Sequence, residues 1–136
     1  MGGHRPGQAA IEFALGLMMF LVLIVGAMDL GRAVWVWNTL AHATSEAAHY
    51  GSVPTRTTAE IRTYAIERAT GLSLTSGDIT VVRGVCGDVS NPVSVSIAYS
   101  FVPIAAALTA FGGPGSIPLR GTARMYVERG VPPCAG

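Results

Sequence analysis

The residues that could do chemistry are few. His42, Glu46 and His49 stand at i, i+4 and i+7, so on a helix they share one face. A Glu-x-x-His pair has the spacing that puts two ligands on a carboxylate-bridged metal site. Such a site needs matching ligands from a second helix, and Glu60 and Glu67 have no histidine beside them. The trio is therefore read as a solvated or subunit-facing polar stripe, with no metal and no cofactor expected. Cys86 and Cys134 lack the close spacing of a zinc knuckle or a redox motif. Outside the cytoplasm they could form a disulfide, and closing that loop would contribute about 4 kcal/mol in the chain-entropy model; the alternative is two buried thiols. Gly-x-Ser-x-Gly, a phosphate-binding glycine loop and His-Glu-x-x-His are all absent from the sequence. The chain is not expected to be an enzyme or to take a small-molecule substrate.

Glu12 is the most informative residue. From Phe13 to Met28 the sequence carries no charge, and Ala9 to Ile11 extend the apolar run to about twenty residues, roughly what a bilayer core demands of a helix. A carboxylate inside such a helix costs about 2.5 to 3.5 kcal/mol on insertion scales, so it needs a partner or a purpose. A position at the headgroup boundary, where the helix macrodipole favours an acid, is the structural alternative.

Composition fits an anchored protein. Half of the residues are hydrophobic and only 12% are charged, well below the ~25% of an average soluble protein. The net charge of +1 and nine scattered arginines give no footprint for nucleic acid. Residues 1–7, with His4, Arg5, Pro6 and three glycines, read as a leader or targeting segment. The apolar run passes into Asp29, Leu30, Gly31 and Arg32 without a small-residue cleavage site, so the helix is expected to stay attached.

The elements that position these residues follow from periodicity. Leu30, Ala33, Val34, Trp37, Leu40, Ala41, Thr44, Ala47 and Ala48 recur at helical spacing, which carries the first helix from Ala9 to Tyr50. That is about 60 Å, twice a bilayer core, so its outer half must pack on protein. Trp35 and Trp37 suit either a membrane interface or a packed core. Gly51 could end the helix in the left-handed conformation, with Pro54 beyond. Thr57 and Glu60 form a capping-box pattern ahead of Ile61, Tyr64, Ala65 and Ala69, which predicts a short second helix ending before Gly71. Strands are predicted over Ile79–Val85, Val93–Phe101 and Leu119–Val127, the last two with strict alternation. Ile104 to Phe111 predicts a short helical turn, and GGPGS a loop. The expected fold class is α+β: a transmembrane helix over residues 8–51, then a head over 52–136 made of one short helix and a three-stranded antiparallel sheet.

The N-terminal pattern, Gly7, Gln8, Ala9, Ala10, Ile11, Glu12, Phe13 ahead of an apolar helix, resembles the type IV prepilin signature. GQAAIEFALGL, MDLGRAVWVWN and AHATSEAAHYG closely resemble the TadE-like family of pseudopilins or minor pilins of the Tad, or Flp, pilus system, most strongly over Gly7 to Gly51 and more weakly at GTARMYVE. The resemblance implies a pilin-like fold and cleavage by a prepilin peptidase between Gly7 and Gln8. It implies a role for Glu12 and Phe13 in assembly, with Glu12 neutralising the new amine of a neighbour. It also implies a single-pass protein of the inner membrane with its head outside the cytoplasm, whose partners are other pilin-like subunits, the Tad assembly machinery and the lipid bilayer. Gly16, Gly26 and Gly31 would allow close helix approach. The alternative is a membrane-anchored binding module that does not assemble into a pilus.

Overall fold

Local signals account for the two helices. In the computed structural model, which describes residues 6–85, 88, 90–104 and 115–127, helix α1 spans Pro6–Gly51 and helix α2 spans Thr58–Arg68. Pro6 opens α1, where its missing N–H costs nothing. Forty-six residues at 1.5 Å each make a rod of about 69 Å. The predicted capping box is formed at α2: the Thr57 N–H donates to Glu60 Oε2 at 2.7 Å, and the Glu60 N–H donates to Thr57 Oγ1 at 3.2 Å.

Gly51 does not take the left-handed role expected of it. It is the last residue of α1, and among the described residues only Gly71 has a positive φ, at 80°. Gly51 is small because three elements converge there: an added Cβ would stand 2.9 Å from Ile61 Cδ1 and 3.1 Å from Val93 Cγ1. Closure falls instead to Ser52, whose N–H and hydroxyl both donate to the His49 carbonyl, at 3.1 and 2.7 Å.

Alternation builds the sheet. Strand β1 covers Ile79–Val82, β2 Val93–Phe101 and β3 Ile117–Met125, in the order β1-β2-β3 with both pairings antiparallel. The register puts Ile79 opposite Ile97, Ile97 opposite Gly121 and Phe101 opposite Ile117. Val93, Val95, Ile97 and Phe101 are buried on the inner face. Strand β1 is shorter than predicted, because the chain turns at Gly84: a Cβ there would collide with the Asn91 carbonyl, and the Val85 N–H donates to that carbonyl at 3.0 Å. Strand β3 begins and ends two residues earlier than predicted, yet its facing is as expected, with Gly121 buried and Arg120, Thr122 and Arg124 exposed.

The sheet covers one side of the second half of α1, and α2 packs beside it. The buried stripe of α1 is Asp29, Val36, Leu40, Ala43, Thr44, Ala47 and Ala48, with Ala33 half-buried. Leu40, Thr44, Ala47 and Ala48 are buried as expected, but Leu30, Val34, Trp37 and Ala41 are exposed, and Val36 and Ala43 are buried instead. The stretch AVWVW is apolar on several sides at once, so periodicity alone does not select the face that the sheet takes. Gly121 marks the closest approach of the layers, where a Cβ would lie 2.8 Å from the Leu40 carbonyl oxygen. Residues 1–5, Cys86, Cys134, most of Ile104–Phe111 and part of GGPGS lie outside the described residues, and with them the expected disulfide and the predicted turn.

Candidate functional site

The candidate site is the half of α1 that the head leaves bare. From Gly7 to Ile24 every residue is exposed, and no other part of the described chain comes within 4 Å of the Cβ positions of Gly7, Gly16, Gly26 or Gly31. Helix α1, from Gly7 to Gly51, is long and apolar enough to cross a membrane, and none of its most apolar stretch is buried. A single N-terminal helix of this kind fits a membrane anchor.

Gly7, Gln8, Glu12 and Phe13 occupy the first two turns. Gln8 and Glu12 are brought onto one face by their i, i+4 spacing, and Gln8 Nε2 donates to Glu12 Oε1 at 3.3 Å. Phe13 is 71% exposed and projects from the same turn as the acid. Among the described residues Glu12 meets only its own helix, so the head offers the carboxylate no countercharge.

The histidine stripe is placed differently. His42 and His49 are exposed, whereas Glu46 is half-buried and accepts a hydrogen bond from the Tyr64 hydroxyl of α2 at 3.5 Å. Tyr64 also accepts from Arg68 Nη2 at 2.8 Å and stacks on Tyr50, with ring centroids 4.3 Å apart and planes 6° from parallel. Arg56 lies over Tyr50 at 4.4 Å and Arg68 over Tyr64 at 4.8 Å. Glu46 thus belongs to an aromatic and cationic joint between the two helices. Among the described residues no group of three or more His, Cys, Asp or Glu side chains could hold a metal ion.

In the sequence Asp29 stands only as the flank of the apolar run. It is 7% exposed, accepts the Ile104 N–H at 2.8 Å and pairs with Arg32 Nη1 at 3.2 Å. The Arg32 guanidinium in turn lies 5.3 Å from the Phe101 ring centroid. One signal pointed to it: MDLGR places the first acid after the apolar run three residues before the first base.

Outside the membrane segment, hydrogen bonds hold three carboxyls, those of Glu60, Asp78 and Asp88, below their ordinary range. The Thr57 N–H and hydroxyl lower Glu60, and the Thr75 N–H and hydroxyl lower Asp78.

Neither a curated protein nor a solved structure matches the chain at a significant level. Residues 7–49, which are nearly the whole of α1, match the family model described as TadE-like protein, the family that the N-terminal helix resembles.

Proposed function

We propose that the chain is a TadE-like minor pilin or pseudopilin that takes part in assembly of a Tad pilus. The observation that carries this reading is the bare first half of α1, with Glu12 unmet by the described residues of the head, in the segment that matches the TadE-like model. A prepilin peptidase removes residues 1–7, and the protein waits in the inner membrane with its head outside the cytoplasm. It acts by binding other pilin-like subunits and the assembly machinery, not by turnover.

Cleavage after Gly7 leaves a positively charged amine on Gln8. In an apolar helix bundle an unpaired charge is severely penalised, so the amine of one subunit seeks the Glu12 carboxylate of the next. Four residues separate the two groups on each chain, or about 6 Å of helix rise. Pairing between chains therefore sets an axial stagger of about that size, which defines register as well as stability. Gly16, Gly26 and Gly31 leave the helix backbone open to close approach.

Mass spectrometry of the membrane-extracted protein from cells with an active prepilin peptidase tests the reading. The expected product begins at Gln8, and an intact Met1–Gly7 leader would overturn it in favour of a membrane-anchored binding module. Glu12→Ala is expected to leave insertion intact and to reduce co-purification with pilus components. Normal co-purification of that variant would argue against the neutralising role.

A further inference from the structure

The head is fastened to α1 at two heights. At the far end Gly51 packs against Val93, and at the near end Asp29 accepts the Ile104 N–H at 2.8 Å. Strand β2 therefore runs back down α1, from the end remote from the apolar segment to the point where that segment stops. Asp29 is the first charged residue after the sixteen uncharged positions from Phe13 to Met28, so on the reading that α1 spans a bilayer it stands at the edge of the hydrocarbon. The residues just beyond β2 come to that edge with it.

Those residues are apolar and uncovered. Val102 is 57% and Ile104 53% exposed, and Ile117, opposite Phe101 at the start of β3, is also exposed. On a soluble head these side chains would face water. The headgroup layer on each side of the hydrocarbon is about 6 Å deep, and a chain held by a hydrogen bond to Asp29 enters it. The charge pattern suits the same surface. Asp29 is buried and paired with Arg32, one turn farther along, whose side chain is half exposed, so that the guanidinium nitrogens turned away from Asp29 can reach phosphates. Leu30, 67% exposed, continues the apolar surface on the helix itself.

We propose that the membrane-proximal end of the head is a lipid-binding surface: Val102, Ile104 and Ile117 enter the interfacial layer of the bilayer that α1 spans, so that the head is held against the membrane while the subunit is stored there. The occupant is lipid, because these residues lie at the depth where the apolar helix segment ends, set by the Ile104–Asp29 hydrogen bond and the pairing of Phe101 with Ile117. The inference rests on the membrane-spanning reading of α1 and extends it from the helix to the head.

The full chain in phosphatidylcholine and phosphatidylglycerol nanodiscs tests it, with single tryptophans introduced into a Trp35→Phe, Trp37→Phe background and lipids brominated near the headgroup end of the acyl chain. Leu23→Trp reports the anchor and Val102→Trp reports the head. Val82→Trp, opposite Ser94 and about 26 Å farther up the sheet, is the distant control. Quenching at 102 several-fold above that at 82, together with quenching at 23, is the expected result. Quenching at 23 but not at 102 overturns the lipid surface and leaves the anchor standing, whereas no quenching at 23 overturns both. Should the tryptophan-free background fail to fold, a benzophenone side chain at position 102 of the otherwise native chain gives a second reading. A lipid adduct supports the proposal. A cross-link to a second copy or to another protein, without lipid adducts, overturns it.

Discussion

The Asp29 carboxylate on α1 accepts the Ile104 N–H at 2.8 Å across 75 residues of sequence, joining the end of the apolar helix segment to the chain that leaves β2. Removing the acceptor leaves a part-buried N–H unpaired and separates Arg32 from its partner. Asp29→Ala is expected to destabilise the head by about 1–3 kcal/mol. Asp29→Asn, which keeps an acceptor of the same shape, is expected to cost less. Denaturant unfolding of the detergent-solubilised protein, followed by circular dichroism, measures both; equal stability of Asp29→Ala and the parent would refute the latch.

Two glycines mark close contacts of different stiffness. A Cβ on Gly121 meets the Leu40 backbone, whereas a Cβ on Gly51 meets first the end of the Ile61 side chain, which can rotate away. Gly121→Ala is therefore expected to cost about 1–3 kcal/mol by overpacking, and Gly51→Ala less. Gly26→Ala, where nothing lies within 4 Å, is expected to leave the stability of the monomer unchanged. Unfolding midpoints of the three variants test the order, and a Gly51→Ala loss larger than that of Gly121→Ala would contradict it.

The capping box of α2 makes stability depend on acid. Hydrogen bonds from Thr57 hold the Glu60 carboxyl below its ordinary value, so the folded state binds its proton less readily than the unfolded chain. The contribution is full above the ordinary carboxyl range and is lost as pH falls through the lowered folded value. In Glu60→Gln, which keeps a capping side chain but cannot titrate, that part of the acid dependence is expected to vanish. Thermal melts between neutral and strongly acid pH compare the two, and an unchanged acid slope in Glu60→Gln would exclude Glu60 as its source.

The Tyr50–Tyr64 stack separates packing from polar contact. Tyr64→Phe keeps the ring and loses a long, part-buried hydrogen bond to Glu46 and an exposed one from Arg68, so its expected cost is below about 1 kcal/mol. Tyr64→Ala removes the ring, and the stacking loss alone is about 0.5–1.5 kcal/mol beyond the buried area. Chemical denaturation distinguishes them, and a Phe variant as unstable as the Ala variant would show that the hydroxyl, not the ring, holds the joint.

What the sequence determined by itself was local. Thr57 and Glu60 interact three residues apart, and Val93 to Phe101 alternate within one strand, so both elements were legible where they stand. The apolar run from Phe13 to Met28 and the acid before it identified the bare helix without any tertiary contact. Three things were decided only by the tertiary structure. The sheet chose the stripe through Val36 and Leu40 over Val34 and Trp37, because both faces of that helix are apolar and the choice depends on where β2 and β3 arrive. Gly51 is glycine for room against Ile61 and Val93, a constraint set by residues ten and forty-two positions away. Asp29 became a latch because β2 runs back along α1 and delivers Ile104 to it. Periodicity reports which side chains prefer burial; only packing between distant elements determines what each of them meets.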